Sequence, residues 1–184
     1  MPSITKLWLS TLKDPNCVST PEFQQLITEL LDFCSSYTNP TKDARAPSMH
    51  AFFQDTQDPS KLFMITGYPS QEMNTEADKV YAERYLPRMF KFVQHKALYQ
   101  IDVDVRTLPL NGQVVVAVGK NPEQWKDEKS VGAWDYWRET RGIKVEEADK
   151  LWVQVEEWDE SSAGASTSTP IDGGVMRLKN IGSS

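Results

Sequence analysis

"MHAFFQDTQDPSKLFMITGY", residues 49–68, decides the fold. Asp58 and Pro59 sit where a tight connection needs them, so the stretch reads as a hairpin of two strands, MHAFFQDT and KLFMITGY. Alternate side chains of a strand point to opposite faces. Neither face here is polar: His50 and Phe52 oppose Ala51 and Phe53, while Leu62 and Met64 oppose Phe63 and Ile65. A sheet apolar on both sides must be covered on both, so a second layer is required, from another subunit or from the rest of the chain.

The flanking segments supply one cover. ITKLWLSTL (Ile4 to Leu12) alternates, carries β-formers and is broken by KDPN, which predicts a first strand. Thr20 can cap a helix with Pro21 in its first turn, and Phe23, Leu26, Ile27, Leu30, Leu31 and Cys34 recur at helical spacing. After the hairpin, Ser70 caps QEMNTEADKVYAERY, with Met73, Ala77, Val80 and Tyr81 on one face. Pro87 breaks that helix, RMFKFVQ adds a further turn or two, and a fourth strand is predicted from Leu98 to Val105. The order β-α-β-β-α-β is that of a ferredoxin-like α+β unit, an antiparallel sheet with both helices on one face.

Beyond it lie QVVVAVG, a tryptophan-rich stretch and KLWVQVEEWDE, and five of the six tryptophans fall here. Trp134 and Trp137 are expected to plug the open sheet face. SSAGASTSTP is too small and polar to bury enough surface to order itself, and GGVMRLKNI offers a last short strand. The predicted organisation is therefore a unit over 1–112, a shortened second unit over 113–160, a flexible linker over 161–174, and a terminal strand and tail over 175–184.

Charge and motifs narrow the function classes. With 20 basic against 26 acidic residues the net charge is −6, and no lysine–arginine stripe exists for a phosphate backbone, so nucleic acid is not an expected partner. No apolar run approaches the roughly 20 residues that span a bilayer, and the start MPSITKLWLSTLKDPN has no signal-peptide pattern, so a cytoplasmic protein without membrane contact is expected. Cys17 and Cys34 lack C-x-x-C spacing and read as reduced thiols. Phosphate-loop, dinucleotide, nucleophile-elbow and H-E-x-x-H motifs are absent. His50, His95, Asp102 and Asp104 could be imagined around iron, but solvation of an alternating strand face explains the acids, and no metal is expected.

AFFQDTQDPSKLFMITGYPSQE and FVQHKALYQIDVDV (residues 51–72 and 92–105) resemble the hairpin and the helix-to-last-strand passage of fungal proteins related to the antibiotic biosynthesis monooxygenase domain, a dimeric α+β barrel group. The resemblance covers roughly residues 4 to 119. VVVAVG with LWVQVEEWD resembles a shortened copy of the second barrel unit found in tandem relatives. It implies a homodimer and an apolar pocket for a polyketide- or terpenoid-like small molecule. It also implies oxygenase-type tailoring chemistry of secondary metabolism without a cofactor. A cofactor-free cyclase or isomerase in the same pocket, and a non-catalytic binding or protein-interaction module, stay open beside it.

The residues able to carry such chemistry are few. His95 and His50 titrate near neutral pH and are the candidate bases, and Arg88 could steady an anion. Trp8, Phe52, Met64, Tyr68, Tyr81, Tyr85 and Tyr99 are the candidate pocket wall. Each has a plainer reading: His95 as a helix-end residue facing the dipole, His50 as a satisfied strand histidine, Arg88 in a surface pair, and the tyrosines as packing. The alternation around HKALYQIDVDV leaves the direction of His95 open.

Overall fold

The computed structural model describes residues 4–120, 130–140, 143–144, 150–158 and 175–184. In chain order these form β1 (Ile4–Leu12), α1 (Pro21–Thr38), β2 (His50–Asp55), β3 (Lys61–Tyr68), α2 (Gln71–Arg84), α3 (Leu86–Phe92) and β4 (Val93–Ile101). They continue as β5 (Val114–Gly119), β6 (Val131–Thr140), β7 (Ile143–Lys144), β8 (Trp152–Glu157) and β9 (Val175–Ser183). The segment expected to be a linker, 161–174, lies outside the described residues.

The helices start where their caps allow. Thr20 Oγ1 accepts from the Phe23 amide at 3.4 Å with Pro21 in the first turn, and Ser70 Oγ accepts from the Met73 amide at 3.2 Å. Pro87 ends α2 and opens α3. The apolar face of α1 packs on Trp8, Leu12, Phe52, Leu62 and Met64, each of which is buried. Helix α2 is different: only Asn74 and Ala77 are fully buried, and Met73, expected on the inner face, is 37 % exposed. That helix stands away from the sheet.

Strand β4 begins five residues earlier than the alternation predicts, directly from α3. It also ends earlier, because residues 105–107 turn through a 3-10 helix whose preceding Asp104 accepts from the Arg106 amide. Asp104 therefore clasps Arg106 in a turn rather than lining a solvated strand face. Val105 folds back over Gly67, where a Cβ would lie 2.2 Å from Val105 Cγ1, so only glycine admits this closure.

The strands run β4-β1-β3-β2-β9-β5-β8-β6, and β6 pairs with β4, which closes an eight-stranded antiparallel barrel with β7 appended to β6. The second half repeats the first: β5 and β8 lie in its centre as β1 and β3 do, flanked by β9 and β6 in the places of β4 and β2. The lumen is a packed core, filled by Leu7, Phe53, Phe63 and Ile65 from one half and Val114, Val116, Val155 and Leu178 from the other. The second layer required by the hairpin is thus the chain's own strands. The second apolar face, for which another subunit was one of the two possible covers, is covered within the chain. Trp134 does not plug that face: it is 43 % exposed, edge-on to Trp152 on the barrel's outside. The Trp137 side chain, expected on the same face, lies outside the described residues.

Candidate functional site

Because α2 stands off, a cavity of about 590 Å³ opens between the outer face of β1, β3 and β4 and the helices α2 and α3. Trp8, Met64, Leu86, Phe90 and Leu98 make most of its wall apolar, and Lys6, Asp78, Tyr81 and His95 are its polar groups, with Cys34, Thr66, Tyr68 and Gln100 completing it. This size and this mix suit a small apolar ligand held by a few polar contacts. A second hollow of about 400 Å³ under residues 39–48 is lined by Asp32, Asn39, Lys42 and other small or polar residues.

A bulge puts His95 in the cavity. Along β1 and β4, Trp8 pairs with Leu98 and Leu9 with Ala97, but Ser10 pairs with His95, so β4 carries Lys96 as an extra residue. Strict alternation from Ala97 would send His95 into the lumen; the bulge re-aims it to the side of Trp8 and Leu98. There the Trp8 indole N–H donates to His95 Nδ1 at 3.0 Å. Among the described residues, His95 Nε2 and the Tyr81 hydroxyl are buried with no hydrogen-bond partner, as is Asn74 Oδ1. Both His95 and Tyr81 line the cavity, and the Tyr81 ring meets Trp8 edge-on at 6.3 Å.

At the other end Lys6, whose side chain is 5 % exposed, is paired with Asp78 of α2, which is 51 % exposed. Burial holds the Lys6 ammonium below the usual lysine range, and Asp78 opposes that shift. Burial likewise pushes the Cys34 thiol up to about 11, and the Tyr68 and Tyr81 phenols upward.

Of the ten residues proposed from sequence, the cavity brings together Trp8, Met64, Tyr68, Tyr81 and His95. The other five lie elsewhere. His50 is fully buried beneath the cavity wall, its Nδ1 2.5 Å from Thr66 Oγ1 and its Nε2 2.9 Å from Thr38 Oγ1. Burial drops its pKa to about 3, so it is a neutral core histidine with both nitrogens occupied. Arg88 donates to Glu29 at 2.6 Å on the surface and caps the Tyr85 ring, which itself packs on Phe33 of α1. Phe52 is sealed under α1, and Tyr99 belongs to the lumen side with Ile101. With His50 between threonines, His95 on Trp8 and Asp104 on Arg106, the imagined metal set is never assembled. Among the described residues no group of three histidine, cysteine or acidic side chains is placed to hold a metal ion.

Lys6 and Asp78 were missed. The signal for Lys6 was present: in ITKLWLSTL it shares the buried face with Trp8 and Ser10, an expensive place for a charge. Asp78 stands one turn before Tyr81, but nothing local distinguishes it from the other acids of α2.

No family model matches the chain, and no curated protein matches it. Solved structures do. An anthrone oxidase-like protein aligns over 100 % of this chain and 93 % of its own, with 14 % identity and a TM-score of 0.55. A protein described as a candidate chlorite dismutase aligns over 99 % and 97 %, with 11 % identity and a TM-score of 0.54. A candidate monooxygenase from Lactobacillus acidophilus aligns over 100 % and 96 %, with 9 % identity and a TM-score of 0.52. The likeness is one of fold: a closed antiparallel barrel with helices on its outside. No helix among the described residues is long and apolar enough to cross a membrane.

Proposed function

We propose that the protein is a cofactor-independent, oxygenase-type enzyme acting on a hydrophobic, electron-rich ring ketone or phenol in the cavity between sheet and helices. The observation that carries this reading is an apolar cavity of about 590 Å³ holding a buried Lys6 paired with a half-exposed Asp78 at one place and unpartnered polar atoms of His95 and Tyr81 at another. The anthrone oxidase-like and monooxygenase names of proteins with this fold support the same class. The resemblance of residues 51–72 to fungal antibiotic monooxygenase relatives supports a tailoring step of secondary metabolism.

The chemistry asks little of the protein. The Asp78 carboxylate takes a proton from an activated CH₂, and the neighbouring Lys6 ammonium steadies the anion left behind. The carbon's electron pair adds to dioxygen, which forms a C–O bond, and loss of water leaves a carbonyl: CH₂ + O₂ gives C=O + H₂O, with dioxygen as oxidant. Trp8, Met64 and Leu98 give the carbanion an apolar surrounding.

The test is dioxygen uptake with anthrone as probe. One O₂ consumed per anthrone, faster than in buffer and with ¹⁸O from ¹⁸O₂ in the new carbonyl, is the expected result. Uptake at the buffer rate would refute the reading. The same acid–base pair needs no oxidant to run a cyclisation or isomerisation, and a product of unchanged mass formed under argon would identify that chemistry instead.

A further inference from the structure

We propose that His95 is a hydrogen-bond donor that binds an oxygen of the ligand, and that Trp8 is the positioning residue that keeps it a donor. This rests on the cavity being the ligand site, and does not depend on dioxygen chemistry. An indole N–H can only donate, so the Nδ1 atom it meets at 3.0 Å must present its lone pair. The proton of the neutral ring is therefore on Nε2. That Nε2–H is buried, has no partner among the described residues and belongs to a ring lining the cavity. A buried donor without a partner is costly, and a ligand oxygen removes the cost.

This assignment reverses the role that composition suggests for His95. A base needs a free lone pair facing the substrate, and the only lone pair of this tautomer faces Trp8. What this tautomer leaves unpartnered, on a ring that lines the cavity, is an N–H, suited to a carbonyl that becomes an enolate as a neighbouring carbon loses its proton. Trp8 is itself fixed by its ladder pairing with Leu98 and by its edge contact with Tyr81, whose own free hydroxyl is a second donor for the same region. The ligand class follows: an apolar ring system carrying a conjugated carbonyl or phenolic oxygen, in preference to a pure hydrocarbon of the same shape.

Two measurements test it. Long-range ¹H–¹⁵N correlation of the two histidine rings, assigned with His50→Gln, should place His95 in the Nε2–H tautomer at neutral pH, and Trp8→Phe should yield a mixture. An Nδ1–H or doubly protonated His95 in the wild type, or a pure Nε2–H form in Trp8→Phe, would overturn the assignment. Calorimetric binding under argon should then show anthrone bound about tenfold more tightly than 9,10-dihydroanthracene, which has CH₂ in place of the C=O, and His95→Phe should reduce that preference. Equal affinities in the wild type, or a preference unchanged in His95→Phe, would overturn the donor role. Because oxygen is excluded, this preference persists even if dioxygen uptake fails, which separates the two readings.

Discussion

The Trp8 indole reaches Nδ1 of His95 because Lys96 is an extra residue in β4, so that His95 stands opposite Ser10 and not one place further along. Side-chain direction in a strand is decided by counting, and a bulge changes the count. Deleting Lys96 should leave Ser10 opposite His95 in a now regular ladder and keep the histidine beside Trp8. Retention of the wild-type His95 ring resonances in the deletion variant is the expected outcome. Their loss, with the protein still folded, would show that residues 93–95 had slipped and that the bulge is not at Lys96.

His50 predicts an acid limb in the stability curve. Its pKa falls from the ordinary 6.5 in the unfolded chain to about 3 when buried, so between those values the unfolded state binds more protons. Stability is therefore full above pH 6.5 and declines as pH falls toward 3, by at most about 1.4 kcal/mol per pH unit for one proton. Most carboxylates titrate lower, so this ring contributes to the slope between pH 6.5 and 5. Denaturant titrations at stepped pH should show a slope in the wild type that is shallower in His50→Gln, and an identical slope in the two would contradict the burial of this ring.

The Lys6–Asp78 pair predicts an asymmetry. Removing the buried partner leaves a half-exposed carboxylate that water can solvate, so Lys6→Met should change stability by less than about 1 kcal/mol. Removing the outer partner strands a buried ammonium, and Asp78→Asn should cost about 2 kcal/mol, less than for a fully buried pair because Asp78 is half solvated. Both variants should lose dioxygen uptake. Equal thermal shifts for the two would show that Lys6 is better solvated than its burial implies.

Closure of the barrel within one chain predicts that folding does not depend on association. The melting temperature should be the same at about 1 µM and about 100 µM, since association of folded chains would add stability by mass action. A rise with concentration would return the homodimer to the account as part of the folded state.

The two apolar faces of the 49–68 hairpin made the two layers legible, and the caps at Thr20 and Ser70 located the helices. What covered the second face was not legible. Its cover comes from strands more than 45 residues away, and short apolar runs such as VVVAVG say nothing about which edge they join. Tyr99 and Lys6 show how far alternation reaches. It groups Tyr99 with Ile101 on one face of β4 but does not say which face the helices cover, so Tyr99, expected in the pocket wall, lies in the lumen, and it sets Lys6 on the face of Trp8, where a buried charge marks the site. His95 was beyond it, because an inserted residue leaves no trace in a pattern of greasy and charged positions.

The most direct test of the central claim is the rate of dioxygen uptake with anthrone in the wild type and in Leu98→Trp. Leu98 lines the cavity beside Trp8, and a second indole there occupies the space a ring ligand needs. The account predicts uptake well above the buffer rate in the wild type and a return to the buffer rate in Leu98→Trp, with the buried His50 ring resonances unchanged. Uptake in the folded variant equal to that of the wild type would contradict it, because the reaction would then be taking place somewhere other than this cavity.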